Sequence, residues 1–284
     1  MPVYLPQINT NLIITQYPYK ASSNYDNVKE DLETGMRWAY ARRGAIGPGS
    51  DYSSLPLGRF VLNYPNITDA EVSTLLTFFR SMCGRYGAFR FLDPGGNLLQ
   101  YSENFSVSYW NKVTATVGSA ATDPFGGNLA TTITGTSSNS GILALIGPSD
   151  GGLNGYVMNV SVWVRAHSPG QSVFVGFQDS NSLGYVGNVV PISTSWQRIS
   201  ATAVLWTNYY FNALLGGGYT WGTTSIDVYG FQCVPMKGEG TYVRTAGAVT
   251  GYHQYCRFDT DVFQRDCGGP DQNSLVLPVV EFNI

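Results

Sequence analysis

Charge is what this 284-residue sequence has least of: Asp, Glu, Lys and Arg together make up 12% of it, about half the usual share. So few charges point to large surfaces that are buried or covered by partners. The formal balance of −3 offers no basic face, which excludes nucleic-acid binding as the main task. Long apolar runs are missing too, none approaching the roughly 20 residues of a membrane span. Residues 1–16 lack a basic stretch followed by an apolar one, so no signal peptide is expected and synthesis in the cytoplasm is implied. Histidine occurs only twice, and the four cysteines (Cys83, Cys233, Cys256, Cys267) are widely spaced. That spacing excludes a disulfide scaffold and favours reduced thiols. His253-x-x-Cys256, with Cys267 downstream, outlines part of a metal site, but no second C-x-x-C pair completes it. Buried or idle thiols are the simpler reading, and no metal or cofactor is expected.

What is present is punctuated β structure around one helix. Thr68 and Glu71 have the spacing of a capping box. Val72, Leu75, Leu76 and Phe79 follow at i, i+3, i+4 and i+7, an apolar helical stripe. Gly84 suits the left-handed residue that ends a helix. Residues 88–93 then alternate as a strand, and Asp93-Pro94-Gly95-Gly96 turns. Before the helix, Leu12–Ile14 is a short apolar run. Gly35–Arg43 and Gly58–Tyr64 read as strands, with residues 44–58 a loop. These elements are too few to close a core.

From about Ser102 to Thr245 the chain is Ser, Thr, Gly and aromatic, with strand candidates at the spacing of an all-β sandwich: 113–117, 130–133, 141–146, 156–166, 172–177, 196–205, 209–215 and 225–232. In 156–166, Met158, Val160, Val162, Val164 and Ala166 point one way. Asn159, Ser161, Trp163 and Arg165 point the other, so one face is buried and one is wet or partner-covered. After Thr245, 255–261 and 275–282 read as strands again, with Pro278 marking an edge position or a bulge. Two strands cannot stand alone, and the simplest account is that they complete the sheet begun by residues 1–97. The expected fold is therefore mainly β: a split domain of residues 1–97 plus 246–284 with one α-helix, carrying an inserted jelly-roll β-sandwich at 98–245.

No catalytic constellation stands out, so no enzyme is expected. Asp259 and Asp261 share a strand face as paired acids can, but a solvated strand end or an Arg257 partner is the simpler reading. His167 reads as a surface histidine, and Gly216–Gly218 lacks the helix and lysine of a phosphate loop. Trp206, Tyr209, Tyr210, Tyr219 and Trp221 crowd one loop region, and flat rings with polar edges suit pyranose stacking, so these five are the candidate glycan contacts. The competing reading is plain packing, assigned here to Trp110, Trp163 and Trp196. Asn66, Asn104 and Asn159 fit the glycosylation pattern, which without a secretory route is coincidence. Arg37, Arg42 and Arg43 are candidate subunit contacts or simply a solvated basic strand.

Two sets of residues carry a resemblance. The first is Leu75-x-x-Phe78-Phe79-x5-Arg85-x-Gly87-x-Phe89-Arg90-Phe91-x-Asp93, preceded by Arg37-Trp38-Ala39-Tyr40. Arg257-Phe258-Asp259-Thr260-Asp261 and an apolar strand ending in Glu281 answer it near the other end. Together they resemble the distal tail protein family of long-tailed bacteriophages and gene transfer agents, although the family's usual middle strands are replaced by the sandwich. The resemblance implies a tail-tube-like domain that closes into a hexameric ring through heterologous contacts. It also implies partners (copies of itself, the tail tube protein, tip hub or baseplate proteins) and a place in the virion's tail tip.

The second set is Trp110, Val113-x-x-Thr116, Pro124-x-Gly126-Gly127-x-x-Ala130, Val160–Ala166, Ser195–Arg198, Gly230-Phe231-Gln232 and Thr241–Thr245. It is similar to carbohydrate-binding-module sandwiches of phage tail proteins and implies an outward module for host-surface glycan. The alternative is a carbohydrate-binding adhesin or lectin-like accessory module without ring assembly.

Overall fold

The computed structural model describes residues 3–8, 12–18, 56–147, 152–179, 184–206, 210–216 and 223–282. The chain divides into two compact units, Leu92–Tyr252 and a second made of Val3–Phe91 with His253–Ile284. The fold is mainly β with one helix among the described residues, and that helix is too short to cross a membrane.

The smaller unit contains β1 (Ile13–Pro18), β2 (Pro56–Ile67), α1 (Asp69–Ser81), β3 (Phe89–Leu92), β14 (Tyr252–Phe258), β15 (Arg265–Gly269) and β16 (Gln272–Phe282). Its sheet runs β1-β2-β16-β14-β3, with β15 also paired to β16. The C-terminal strand thus lies in the middle of a sheet begun before the helix, Leu62 facing Leu277 and Phe60 facing Val279. Residues 3–5 add a parallel contact beside β3. The capping box forms: Thr68 Oγ1 accepts from the Glu71 amide at 3.2 Å, and the Thr68 amide donates to Glu71 Oε2 at 2.8 Å. Val72, Leu75 and Phe79 are buried, while Leu76 is half-buried. They pack with Phe60, Leu62, Tyr64, Phe89, Phe91, Phe258, Leu277 and Val279.

Pro278 is a correction to the sequence reading: it lies in a central strand, paired with Val61, with no bulge at its position. Its carbonyl accepts from the Asp259 amide at 2.8 Å. Carbonyl and nitrogen of one extended residue point the same way, so the N–H that proline lacks falls where β14 ends, and no bond to β2 is lost. Asp259 and Asp261 do not form a pair of free acids. Asp259 is ion-paired with Arg59 at 3.3 Å and Asp261 with Arg85 at 2.9 Å. All four cysteines are free thiols, Cys83 and Cys267 exposed, Cys233 and Cys256 buried. The strand expected over 35–43, with Arg37, Arg42 and Arg43, lies outside the described residues.

The larger unit is a sandwich of two five-stranded antiparallel sheets. One runs β10-β9-β12-β7-β4 (Tyr185–Ile192, Gln171–Asp179, Phe211–Gly216, Gly141–Leu145, Asn111–Val113). The other runs β11-β8-β13-β6-β5 (Gln197–Val204, Val157–Ala166, Ser225–Val234, Ala130–Gly135, Ala115–Ala121). Their apolar sides form the core, with Val160, Val162, Val164, Val175, Phe177, Leu215, Ile226 and Phe231 fully buried. Trp110 stacks on Phe231 at 5.1 Å and donates its Nε1–H to the Tyr101 carbonyl.

Where the chain enters and leaves the sandwich, one residue ties four segments. Asn97, fully buried, donates through Nδ2 to the carbonyls of Phe231 and Val243. Its Oδ1 accepts from the amides of Leu99 and Cys233 at 3.1 Å each. Its backbone exchanges bonds with Thr250 and Gly251. Asn97→Ala leaves several buried groups unpaired, and the expected cost is about 3 kcal/mol. Thr68→Ala, which removes only a cap, is expected to cost about 1 kcal/mol. Denaturant unfolding of the two variants checks both figures and their order.

Candidate functional site

The second sheet turns its polar side outward, and there three arginine–carboxylate pairs and several aromatic rings meet. Alternation along β8 places Asn159, Ser161, Trp163 and Arg165 on this side, and along β13 it places Asp227 and Tyr229. The register sets Tyr229 beside Trp163 and Asp227 beside Arg165. Gly230 sits in a bulge at φ +62°, and a Cβ there would lie 2.9 Å from the Trp163 ring, so only glycine lets the indole lie this close to the strand.

Beyond β13, residues 235–245 return across this face as a strap. Arg198 holds it by donating to the carbonyls of Gly240 (3.0 Å) and Glu239 (3.2 Å) while lying 4.4 Å over the Trp163 ring. Gln232 also holds it, giving Nε2–H to the Thr241 carbonyl and accepting from the Val243 amide. The strap brings Tyr242 to within 5.2 Å of Trp163 and 5.8 Å of Tyr229.

The fourth ring comes from the loop after β5. Asp123 is buried, and its carboxylate accepts from the amides of Phe125 (2.9 Å), Gly127 (3.1 Å) and Leu129 (3.2 Å). Burial alone would raise its pKa; these amide bonds overrule it and hold the carboxyl below its ordinary value. The loop so fixed holds Phe125 edge-on to Trp163 and Tyr229, at 5.8 and 5.9 Å, with 71% of the residue exposed.

Charged groups flank the rings. Asp227, almost wholly buried, receives Arg165 (Nη2 at 2.6 Å), the Thr132 hydroxyl (2.7 Å) and His167 Nε2 (2.8 Å). Burial pushes its pKa up, but these hydrogen bonds leave it below the ordinary 3.8. Arg165 also lies 5.0 Å over the Trp196 ring, whose Nε1–H reaches the Thr122 carbonyl. On the other flank Glu103 pairs with Arg244 at 2.7 Å and accepts from the Tyr242 hydroxyl at 3.0 Å. Burial first, then the bond to Glu103, pushes the Tyr229 phenol up to about 12. Burial likewise raises Tyr242, so both phenols stay protonated donors at neutral pH.

Of the rings proposed from sequence as glycan contacts, Trp206 and Tyr210 are exposed and described, while Tyr209, Tyr219 and Trp221 lie outside the described residues. Trp206 stands edge-on to Phe211 at 4.9 Å and packs against Gly184. Trp163 and Trp196, read from sequence as interior packing, instead belong to the outward face. The alternation along β8 already held that signal for Trp163. Phe125 and Tyr242 had none, because a loop and a strap bring them in.

No protein-family model matches the sequence, and no curated protein matches it significantly. Solved structures similar to the chain include carbohydrate-binding modules and a phage tailspike domain. One is the CBM22-1 xylan-binding domain of Paenibacillus barcinonensis Xyn10C, 16% identical over 51% of this chain and 98% of that one, with a TM-score of 0.38. Another is the C-terminal family 22 carbohydrate-binding module of Clostridium thermocellum Xyn10B, 13% identical over 53% and 99%, with a TM-score of 0.41. A third is the enzymatically active domain of tailspike protein 4 of bacteriophage CBA120, 12% identical over 50% of this chain but 22% of that one, with a TM-score of 0.37. Similarity this low carries no inference about what this chain binds.

The Asp227 cluster makes a pH prediction. A carboxyl held below 3.8 in the folded state stabilises fully above that value and loses its contribution as pH falls through the folded pKa. Asp227→Asn is expected to cost about 3 kcal/mol near neutrality, since it leaves Arg165 without its buried counter-charge. The variant is also expected to lose less stability than the wild type on acidification below about pH 4. Thermal unfolding of both proteins across that range measures it.

Proposed function

We propose that the outward face of the β11-β8-β13-β6-β5 sheet binds glycan, and that the protein is a non-catalytic structural subunit of a phage tail tip which carries this face on its sandwich. The observation that carries the glycan reading is the Phe125 ring, held in solvent over Trp163 and Tyr229 by a buried carboxylate. A large apolar ring that is fixed in place and left exposed marks a contact surface more than a packing error. Tyrosine hydroxyls and hydrogen-bonded side chains beside such a ring suit a ligand with apolar faces and polar edges.

The tail-tip reading rests on the residues resembling the distal tail family at both ends of the chain. It brings with it a hexameric ring, the tail tube and tip hub or baseplate as partners, and a virion location. A sheet completed by the last strand suits a ring-building unit with a passenger module.

Phe125→Ala tests the glycan reading with little risk to folding, because the ring is exposed. Binding of the full chain to its best polysaccharide on a glycan array is expected to weaken roughly tenfold, about 1.4 kcal/mol, with the unfolding midpoint unchanged. Unaltered affinity would remove the face from consideration. Light scattering tests the ring separately: a mass near six subunits is expected, and a monomer that still binds sugar would favour the lectin-like alternative. Incubation with the bound polysaccharide is expected to release no reducing ends.

A further inference from the structure

The three arginines of the outward face share one property: each guanidinium already meets a carboxylate of the protein. Arg165 places Nε at 3.0 Å and Nη2 at 2.6 Å from Asp227 Oδ2. Arg198 lies 3.3 Å from Glu239 Oε2, with both Nη groups given to strap carbonyls and to the Ser161 hydroxyl at 2.9 Å. Arg244 lies 2.7 Å from Glu103 Oε2. His167 turns Nε2 to the same Asp227. Three guanidiniums against three carboxylates leave these pairs with no net charge. Asp227 and Glu103 are themselves nearly buried, so their arginines cannot turn to a ligand without stranding a desolvated anion.

A uronate, sialate or sulfate would therefore compete with an internal carboxylate for every arginine here. A neutral sugar competes with none of them: it meets Phe125, the edges of Trp163 and Tyr242, and hydroxyls such as those of Thr134 and Ser225, which bond each other at 2.7 Å. Resting on the glycan reading above, we infer that the face selects neutral polysaccharide and excludes acidic polysaccharide by internal neutralisation of its cations. Lys237, exposed on the strap, is a cation outside these three pairs.

The test uses the full chain with two neutral polymers, β-glucan and galactomannan, and two acidic ones, polygalacturonate and hyaluronan. Binding to a neutral polymer is expected, changing less than about twofold between roughly 0.05 and 0.5 M salt, because no ion pair to the ligand is there to be screened. No binding to either acidic polymer is expected. Glu103→Gln keeps the shape and an oxygen for the Tyr242 hydroxyl while releasing Arg244, and it is expected to confer salt-sensitive binding to polygalacturonate. Wild-type binding to an acidic polymer that survives Lys237→Ala overturns the inference while sparing the glycan reading. Failure of Glu103→Gln to gain such binding overturns it as well. If no polymer of either kind binds, the glycan reading falls and this inference falls with it.

Discussion

The carboxamide of Asn97 is the tie on which the sandwich and its outward face depend. An amide side chain offers two hydrogens and one carbonyl oxygen, and here all are spent on backbone. They join the incoming segment at Leu99, the central strand at Phe231 and Cys233, and the strap at Val243. No water competes, since the side chain is fully buried. In such surroundings a satisfied polar group fixes one arrangement, because every alternative leaves a donor or acceptor orphaned. The strap held there is the segment that brings Glu239, Tyr242 and Arg244 to the sheet.

The sheet they join has two chemistries back to back. Valines along β8 close the interior, and one residue on in each case Ser161, Trp163 or Arg165 lies on the opposite side of the sheet, Ser161 buried beneath Arg198. On this face arginine, aspartate and glutamate neutralise each other in pairs. A paired, half-buried guanidinium over an indole is a stiff object. Arg198 on Trp163 and Arg165 on Trp196 turn flexible side chains into parts of a wall. The face is thus held rigid by the protein's own contacts.

Local physics was readable in the residues; convergence was not. The capping box of Thr68 and Glu71, the buried stripe of α1 and the alternation of β8 are short-range patterns, and each formed where expected. The strand Tyr185–Ile192 escaped notice because glycine, asparagine and proline interrupt it and its side chains are mostly exposed. The Asp227 cluster draws on residues 60, 62 and 95 positions away, a separation no periodicity encodes. Trp163 shows both halves of the matter. Its outward direction follows from the alternation, yet it reads as packing until Phe125 and Tyr242 are seen to arrive beside it. Pro278 reads as an edge position or a bulge because the pattern does not reveal that β14 stops just where its missing hydrogen would have pointed.

The two crossings at the foot of the sandwich have a consequence of their own. The Asp93 amide donates to the Gly251 carbonyl at 2.9 Å, and Gly96 lies so close to Gly251 that a methyl group there would sit 2.4 Å from its Cα. Chain passing outward and chain passing back therefore run through a single doorway. The loop-closure entropy of that doorway grows only slowly with the polypeptide beyond it, by about 0.6 kcal/mol for each doubling of length. A change in the length of chain between Gly96 and Gly251 is therefore a small entropic matter for this crossing.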